Sequence, residues 1–270
     1  MANTETIFNA DDVLVERVDD IAYVRMNRPS VSNAMGPTAM QRLCQALDGV
    51  IGDPEVRAIV LGHTGKHFLA GADFAFLEDL TRSASLEGMG QIYEWFQGAA
   101  KRLHLCRKPT VAAVGGAAIT VGCELAIACD FRVVTERAVF QESWIRVGLI
   151  PPLGGFKVLP ALVGMDLARK MILRAQPVSG AEAVAAGLAS ELVPPEELES
   201  RAIALARELA ALPPLTYNAS KEGLRRGLES SLDESWAHNL LAQGMLLGSE
   251  DFREGVTAVR QRRAPVFKGR

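Results

Sequence analysis

Apolar and polar positions along this 270-residue chain switch between two periods. Residues 21–26 form a short apolar run that predicts a strand, closed by the turn Asn27-Arg28-Pro29-Ser30. Over residues 37–51, Met40, Leu43, Ala46, Leu47 and Val50 recur at helical spacing, with Pro37 where a first helical turn tolerates it. Gly52-Asp53-Pro54 ends that helix, and residues 57–62 predict a second strand. After a loop at 65–71, a polar stretch expected to be mobile runs to about Gly90. Residues 110–114 and 130–134 predict two more strands, separated by a glycine-marked turn and a short helix over 122–129. Strand and helix alternating in this way predict an α/β fold, layered or wound as a βα superhelix. From about Glu197 the pattern is helical, with apolar stripes over 202–212, 215–228 and 232–247 and a break at Pro213-Pro214. This divides the chain into an α/β core, 1–195, and a C-terminal helical region, 196–270, suited to subunit contacts.

Composition narrows the class. Hydrophobic residues make up 49% and charged residues 23%, which suits a globular protein with a substantial core. The net charge of −3, from 29 basic and 32 acidic residues, offers no electrostatic reason to expect nucleic acid. Residues 1–20 are polar and acidic, unlike a signal peptide. The longest apolar stretch, 110–129, contains Glu124 and is interrupted by glycines, which argues against a membrane span. The expectation is a soluble cytoplasmic protein. Cys44, Cys106, Cys123 and Cys129 lack a CxxC spacing and read as buried free thiols in a reducing compartment. The four histidines are scattered, so no metal site is expected.

Two loops carry candidate chemistry: His67-Phe68-Leu69-Ala70-Gly71-Ala72-Asp73, and the stretch from Gly115 to Leu125. Each places small residues at a strand exit before a helix, leaving peptide N–H groups free to approach a ligand. Two such groups converging on one carbonyl oxygen make an oxyanion hole, worth about 3–4 kcal/mol per donor. Glu124 falls in the first turn of the following helix, where a carboxylate either acts in chemistry or simply favours the helix dipole.

The stretch 117–130, with Gly122-Cys123-Glu124-Leu125-Ala126 and Cys129-Asp130, resembles the core signature of the enoyl-CoA hydratase/isomerase (crotonase) superfamily. Further matching segments follow in order. They are Met26-Asn27-Arg28-Pro29 with Asn33-Ala34-Met35, Ala70-Gly71-Ala72-Asp73, Lys108-Pro109-Thr110, Val147-Gly148-Leu149-Ile150-Pro151 with Gly154-Gly155, Ala181-Glu182-Ala183, and the carboxyl end around Arg262-Arg263 and Phe267. The resemblance covers about residues 13–270. It implies a spiral of ββα units with a C-terminal helical region, assembled as a homotrimer or a homohexamer. It also implies an acyl-CoA substrate bent across the site, with no cofactor beyond the coenzyme A of that substrate. The thioester oxygen would be held by the N–H groups of Ala70 and Val121, with Glu124 as acid/base.

Three departures from the family pattern bear on the chemistry. Val121 stands where glycine is usual, and its β-branch disfavours positive φ. Trp144 stands where hydratases carry a second glutamate; Glu142, two residues earlier on a strand-like segment, is the candidate replacement. Val31-Ser32 replaces basic residues near the CoA phosphates, for which Lys66, Arg262-Arg263 and Lys268 could compensate. Lys66, Ala72, Asp73, Gly122, Trp144 and Phe267 are the candidate substrate contacts; capping is the favoured role for Asp73. The leading expectation is an enoyl-CoA hydratase. Alternatives are a double-bond isomerase, a C–C bond lyase or decarboxylase on an unusual acyl group, a catalytically idle binding scaffold, and a carrier-protein thioester as substrate.

Overall fold

The computed structural model describes residues 4–82 and 86–270. Residues 83–85 of the polar stretch expected to be mobile lie outside the described residues. So do residues 1–3 of the N-terminal segment.

A seven-stranded sheet forms the centre. It contains β1 (Thr4–Asn9), β2 (Val13–Val18), β3 (Ile21–Met26), β4 (Ala58–His63), β5 (Thr110–Val114), β7 (Phe131–Thr135) and β10 (Glu191–Val193), adjacent in that order. β1, β2 and β3 pair antiparallel, and β3 through β10 pair parallel. A second sheet joins β6 (Ala117–Ile119), β8 (Val139–Gln141) and β9 (Val178–Ser179) in the order β6-β8-β9.

The parallel strands are apolar on both faces because both faces are covered. Val24, Ile59, Leu61, Ala112 and Val114 join the cluster containing Met40, Leu43 and Leu47 of α1 (Pro37–Gly52). Their alternates Tyr23, Ala58, Val60, Val111 and Ala113 pack with Leu198, Ala202, Ile203 and Ala206 of α8 (Leu198–Ala210). Thus α8 belongs with the sheet, although it lies beyond the boundary at 195 read from the sequence. The helices α9 (Pro214–Gly227), α10 (Leu232–Leu247) and α11 (Glu250–Gln261) follow after Pro213-Pro214. Asp130 ties α9 to the core: its carboxylate accepts from the Thr110 N–H (2.9 Å) and the Tyr217 hydroxyl (3.1 Å), and pairs with Lys221 at 2.7 Å.

The chain repeatedly passes from the large sheet to the small one and then to a helix. β5 leads to β6 and α5 (Val121–Ala128); β7 leads to β8 and then α6 (Gly155–Arg174). β4 leads to a bridge at Leu69–Ala118 and then α2 (Phe74–Arg82). This is the expected spiral of ββα units, and each turn delivers a sheet-to-helix loop to the same region.

Candidate active site

The loops after β4 and β6 lie side by side. Leu69 N–H donates to the Ala117 carbonyl (3.0 Å), and Ile119 N–H donates to the Leu69 carbonyl (2.9 Å). A Cβ at Gly122 would fall 2.2 Å from the Leu69 carbonyl oxygen, so only glycine permits this approach. His63 and His67 hold the far end of the second loop, accepting the N–H groups of Gly115 (3.1 Å) and Ala117 (3.3 Å). Fully buried Asn33, at φ 58°, donates to the carbonyls of Thr64 (2.9 Å) and His67 (2.7 Å), fixing the β3 exit to the β4 exit. Asparagine tolerates this left-handed backbone better than most residues.

One of the two expected peptide donors is engaged within the chain. The N–H of Ala70 already donates to the Ser32 carbonyl at 3.1 Å, so it is committed within the chain. Two residues on, the N–H of Ala72 has no acceptor among the described residues, and neither has that of Val121. Val121 is the first residue of α5, where helix geometry leaves the N–H groups without partners. The positive φ feared for Val121 falls instead on Thr120 (φ 48°, ψ −106°). A β-branched residue in that region stores about 1–3 kcal/mol of strain, held here by the Thr120 N–H bond to the Gln141 carbonyl (2.8 Å).

One turn into α5, Glu124 is 1% exposed. Its carboxylate accepts the N–H of Leu153 (2.9 and 3.1 Å to its two oxygens) and that of Gly155 (3.0 Å). Gly155 opens α6, so a helix N-terminus faces the carboxylate. A Cβ at Gly155 would fall 2.8 Å from Glu124 Oε1. Burial raises the Glu124 pKa to about 7, against the pull of these two donors.

Glu142 is the second carboxylate of this region. It is 0% exposed, not the solvated surface group its sequence context allowed. The expected strand-like alternation does not position it, because β8 ends at Gln141 and the chain turns at Ser143 (φ −92°, ψ 13°) into a short 3-10 helix, Trp144–Val147. Burial, and then the negative charge of Glu124, hold the Glu142 pKa well above the usual carboxylate range. The Cys123 thiol and the Trp144 indole sit close enough to oppose this, yet neither closes a hydrogen bond of ordinary geometry with it. Each buried polar group left unpaired costs about 1–3 kcal/mol, so such groups mark places built for another purpose.

The remaining candidates divide. Trp144, 6% exposed, lies beside Glu142, and Gly122 makes the close loop contact above. Asp73 caps α2 through the Ala75 N–H (3.0 Å) and pairs with Arg28 at 3.3 Å. Lys66 is exposed and makes no ion pair among the described residues. Phe267 packs within 3.7 Å of where a Cβ at Gly255 would sit, in a groove of about 510 Å³ lined by α10 and α11. A cavity of about 1160 Å³ between α9 and α10 contains none of the candidate site residues. Among the described residues, no cluster of His, Cys, Asp and Glu is arranged to hold a metal ion. No helix there is long and apolar enough to cross a membrane. Sequence reasoning did not find Thr120, Ser32 or the Leu153 and Gly155 donors. The signal available for the last was Gly154-Gly155 opening a helix.

Comparison with known proteins agrees with this geometry. The family model for enoyl-CoA hydratase/isomerase matches residues 16–270. The short-chain-enoyl-CoA hydratase of Clostridium acetobutylicum is 31% identical over 262 residues, covering 96% of this chain and 99% of that protein. The 2,3-dehydroadipyl-CoA hydratase of Escherichia coli is 32% identical over 260 residues, covering 96% and 99%. The crystal structure of an enoyl-CoA hydratase from Polaromonas sp. JS666 superposes with a TM-score of 0.90 at 27% identity, covering 95% of this chain and 99% of that one. With the fold, the match across nearly its whole length and the relatives in agreement, the chain belongs to the enoyl-CoA hydratase/isomerase family.

Proposed function

We propose that this protein is a hydro-lyase that adds water across the double bond of a 2-enoyl-CoA thioester, using Glu124 and Glu142 as its acid/base pair. The observation that carries this reading is the second buried carboxylate. With Trp144 in the usual place of a glutamate, a two-carboxylate hydration still has both its proton carriers. Glu124, at about 7, is substantially ionised near neutrality and takes a proton from water. Glu142, whose proton is favoured by burial and by the neighbouring Glu124, is assigned to deliver a proton to the α-carbon. Water oxygen bonds to the β-carbon, and the thioester oxygen takes up the enolate charge.

That oxygen is received by the N–H groups of Val121 and Ala72. Ala72 replaces Ala70 in this role because the Ala70 N–H is engaged by Ser32. Each preorganised donor supports the enolate by about 3–4 kcal/mol. Lys66, exposed near the loop, is assigned to the phosphates of CoA. We further propose a cytoplasmic homotrimer or homohexamer, supported by exposed apolar residues on the C-terminal helices, including Leu224, Trp236, Leu240, Leu241 and Met245. Sedimentation equilibrium tests the assembly; a monomer at micromolar concentration refutes it.

The activity is tested by incubating the purified protein with 2-enoyl-, 3-enoyl-, branched and malonyl-type CoA thioesters and identifying products by mass. A gain of water, abolished in Glu124→Gln and reduced at least about a hundredfold in Glu142→Gln, is the expected result. Unchanged mass with a moved double bond would make the protein an isomerase, and loss of carbon dioxide a decarboxylase. Full hydratase activity in Glu142→Gln would remove Glu142 from the mechanism.

A further inference from the structure

Trp144 occupies the place of a family glutamate, and its bulk invites reading it as a wall of the acyl pocket. Its surroundings do not fit that of a simple wall. The side chain is 6% exposed, yet its indole Nε1 is a buried donor without an acceptor among the described residues. Both carboxyl oxygens of Glu142 are buried acceptors in the same condition. The two groups are neighbours, because the chain turns back at Ser143 between them. One indole donor and two acceptors, buried together and all unmade, complete one another with a small side-chain movement. A donor beside a carboxyl group matters most once that group becomes an anion. In the mechanism above, Glu142 becomes one when it gives up its proton.

We propose that the indole N–H of Trp144 is the positioning donor for Glu142, bonding to the carboxylate that forms as Glu142 protonates the α-carbon. The inference rests on the role of Glu142 in the proposed function. In that step the Glu142 O–H bond breaks and its electron pair stays on the carboxyl oxygen. The enolate pair forms the new C–H bond, and Trp144 keeps its own proton. The residue standing in the place of a carboxylate thereby supports a carboxylate two positions away. The thiol of Cys123 flanks the same group from α5.

Two readouts test this. The chain has three tryptophans, Trp95, Trp144 and Trp236, so Trp95→Phe and Trp236→Phe identify the Trp144 indole signal in a nitrogen-15 correlation spectrum by elimination. That signal is expected to shift as pH is raised through the Glu142 titration, and to stay fixed in Glu142→Gln. In turnover, Trp144→Phe keeps an aromatic ring and removes the donor. It is expected to lower kcat about 10–100-fold with KM within about threefold, and to move the alkaline limb of the kcat profile to higher pH. A Trp144 indole signal indifferent to pH, or Trp144→Phe with an unmoved alkaline limb and kcat within twofold, overturns the inference. An indole that titrates with Glu142 in a protein that hydrates no 2-enoyl-CoA would instead overturn the proposed function and leave the pairing standing.

Discussion

Replacing Gly155 by alanine tests how the reactive ionisation of Glu124 is set. The new Cβ would lie 2.8 Å from Glu124 Oε1 and 3.0 Å from the Pro151 Cβ, so the carboxylate must move. Gly155 has no left-handed backbone to disturb, and the displaced group is the one that accepts the Leu153 and Gly155 N–H groups at 2.9–3.1 Å. A hydrogen bond to a charged group contributes about 1.5–3 kcal/mol. At about 1.36 kcal/mol per pH unit, losing one raises the Glu124 pKa by roughly one to two pH units. It starts from about 7, so at neutral pH the ionised fraction falls from about half to between a tenth and a hundredth. Hydration at pH 7 should therefore drop about 5–50-fold in Gly155→Ala and recover near pH 9. Stopped-flow or steady-state loss of conjugated thioester absorbance across pH 5–10 measures this directly. A Gly155→Ala profile that overlays the parent, with activity at pH 7 within twofold, would refute the assignment of these donors to Glu124.

Two further outcomes concern stability. Glu142 binds its proton more tightly folded than at its ordinary value of 4.5, so its contribution is complete below that value and is lost as pH rises toward its raised folded value. Thermal unfolding should show the parent losing stability relative to Glu142→Gln as pH rises above 5, at up to about 1.4 kcal/mol per pH unit; parallel curves would contradict this burial. Asp130→Asn removes the ion pair to Lys221 and weakens the bonds to Thr110 and Tyr217 that hold α9, and should cost about 1–3 kcal/mol in urea unfolding. An unchanged midpoint would mean α9 is docked by its apolar contacts alone.

The pattern of the chain was sufficient for the elements that are long or buried on both sides. Residues 58–61 of β4 and 111–114 of β5 are apolar without a break because α1 and α8 cover opposite faces of the sheet, and such runs can be read without knowing what covers them. The helix over 37–51 was legible for the same kind of reason: one continuous stripe, one proline start, one stop. The signature around Glu124 was legible because glycines and a carboxylate lie within a few residues of each other.

What escaped the sequence depends on segments far apart in it. Strands β6, β8 and β9 have two or three residues each, too few to show a period, and β1 and β2 carry charges among their apolar positions. Glu142 could be named from its spacing to Trp144, but its full burial, one residue past the end of β8, could not be read from the sequence. Whether Ala70 or Ala72 offers a free N–H is decided by the carbonyl of Ser32, nearly forty residues earlier, and the proton affinity of Glu124 by Leu153 and Gly155, about thirty residues later. Local propensity acts over a few residues, whereas desolvation and hydrogen-bond occupancy depend on everything the fold brings within a few ångströms. The family, its first carboxylate and the candidate second one were therefore written in the sequence, while the burial of Glu142 and the engagement of individual peptide N–H groups were decided only in the folded chain.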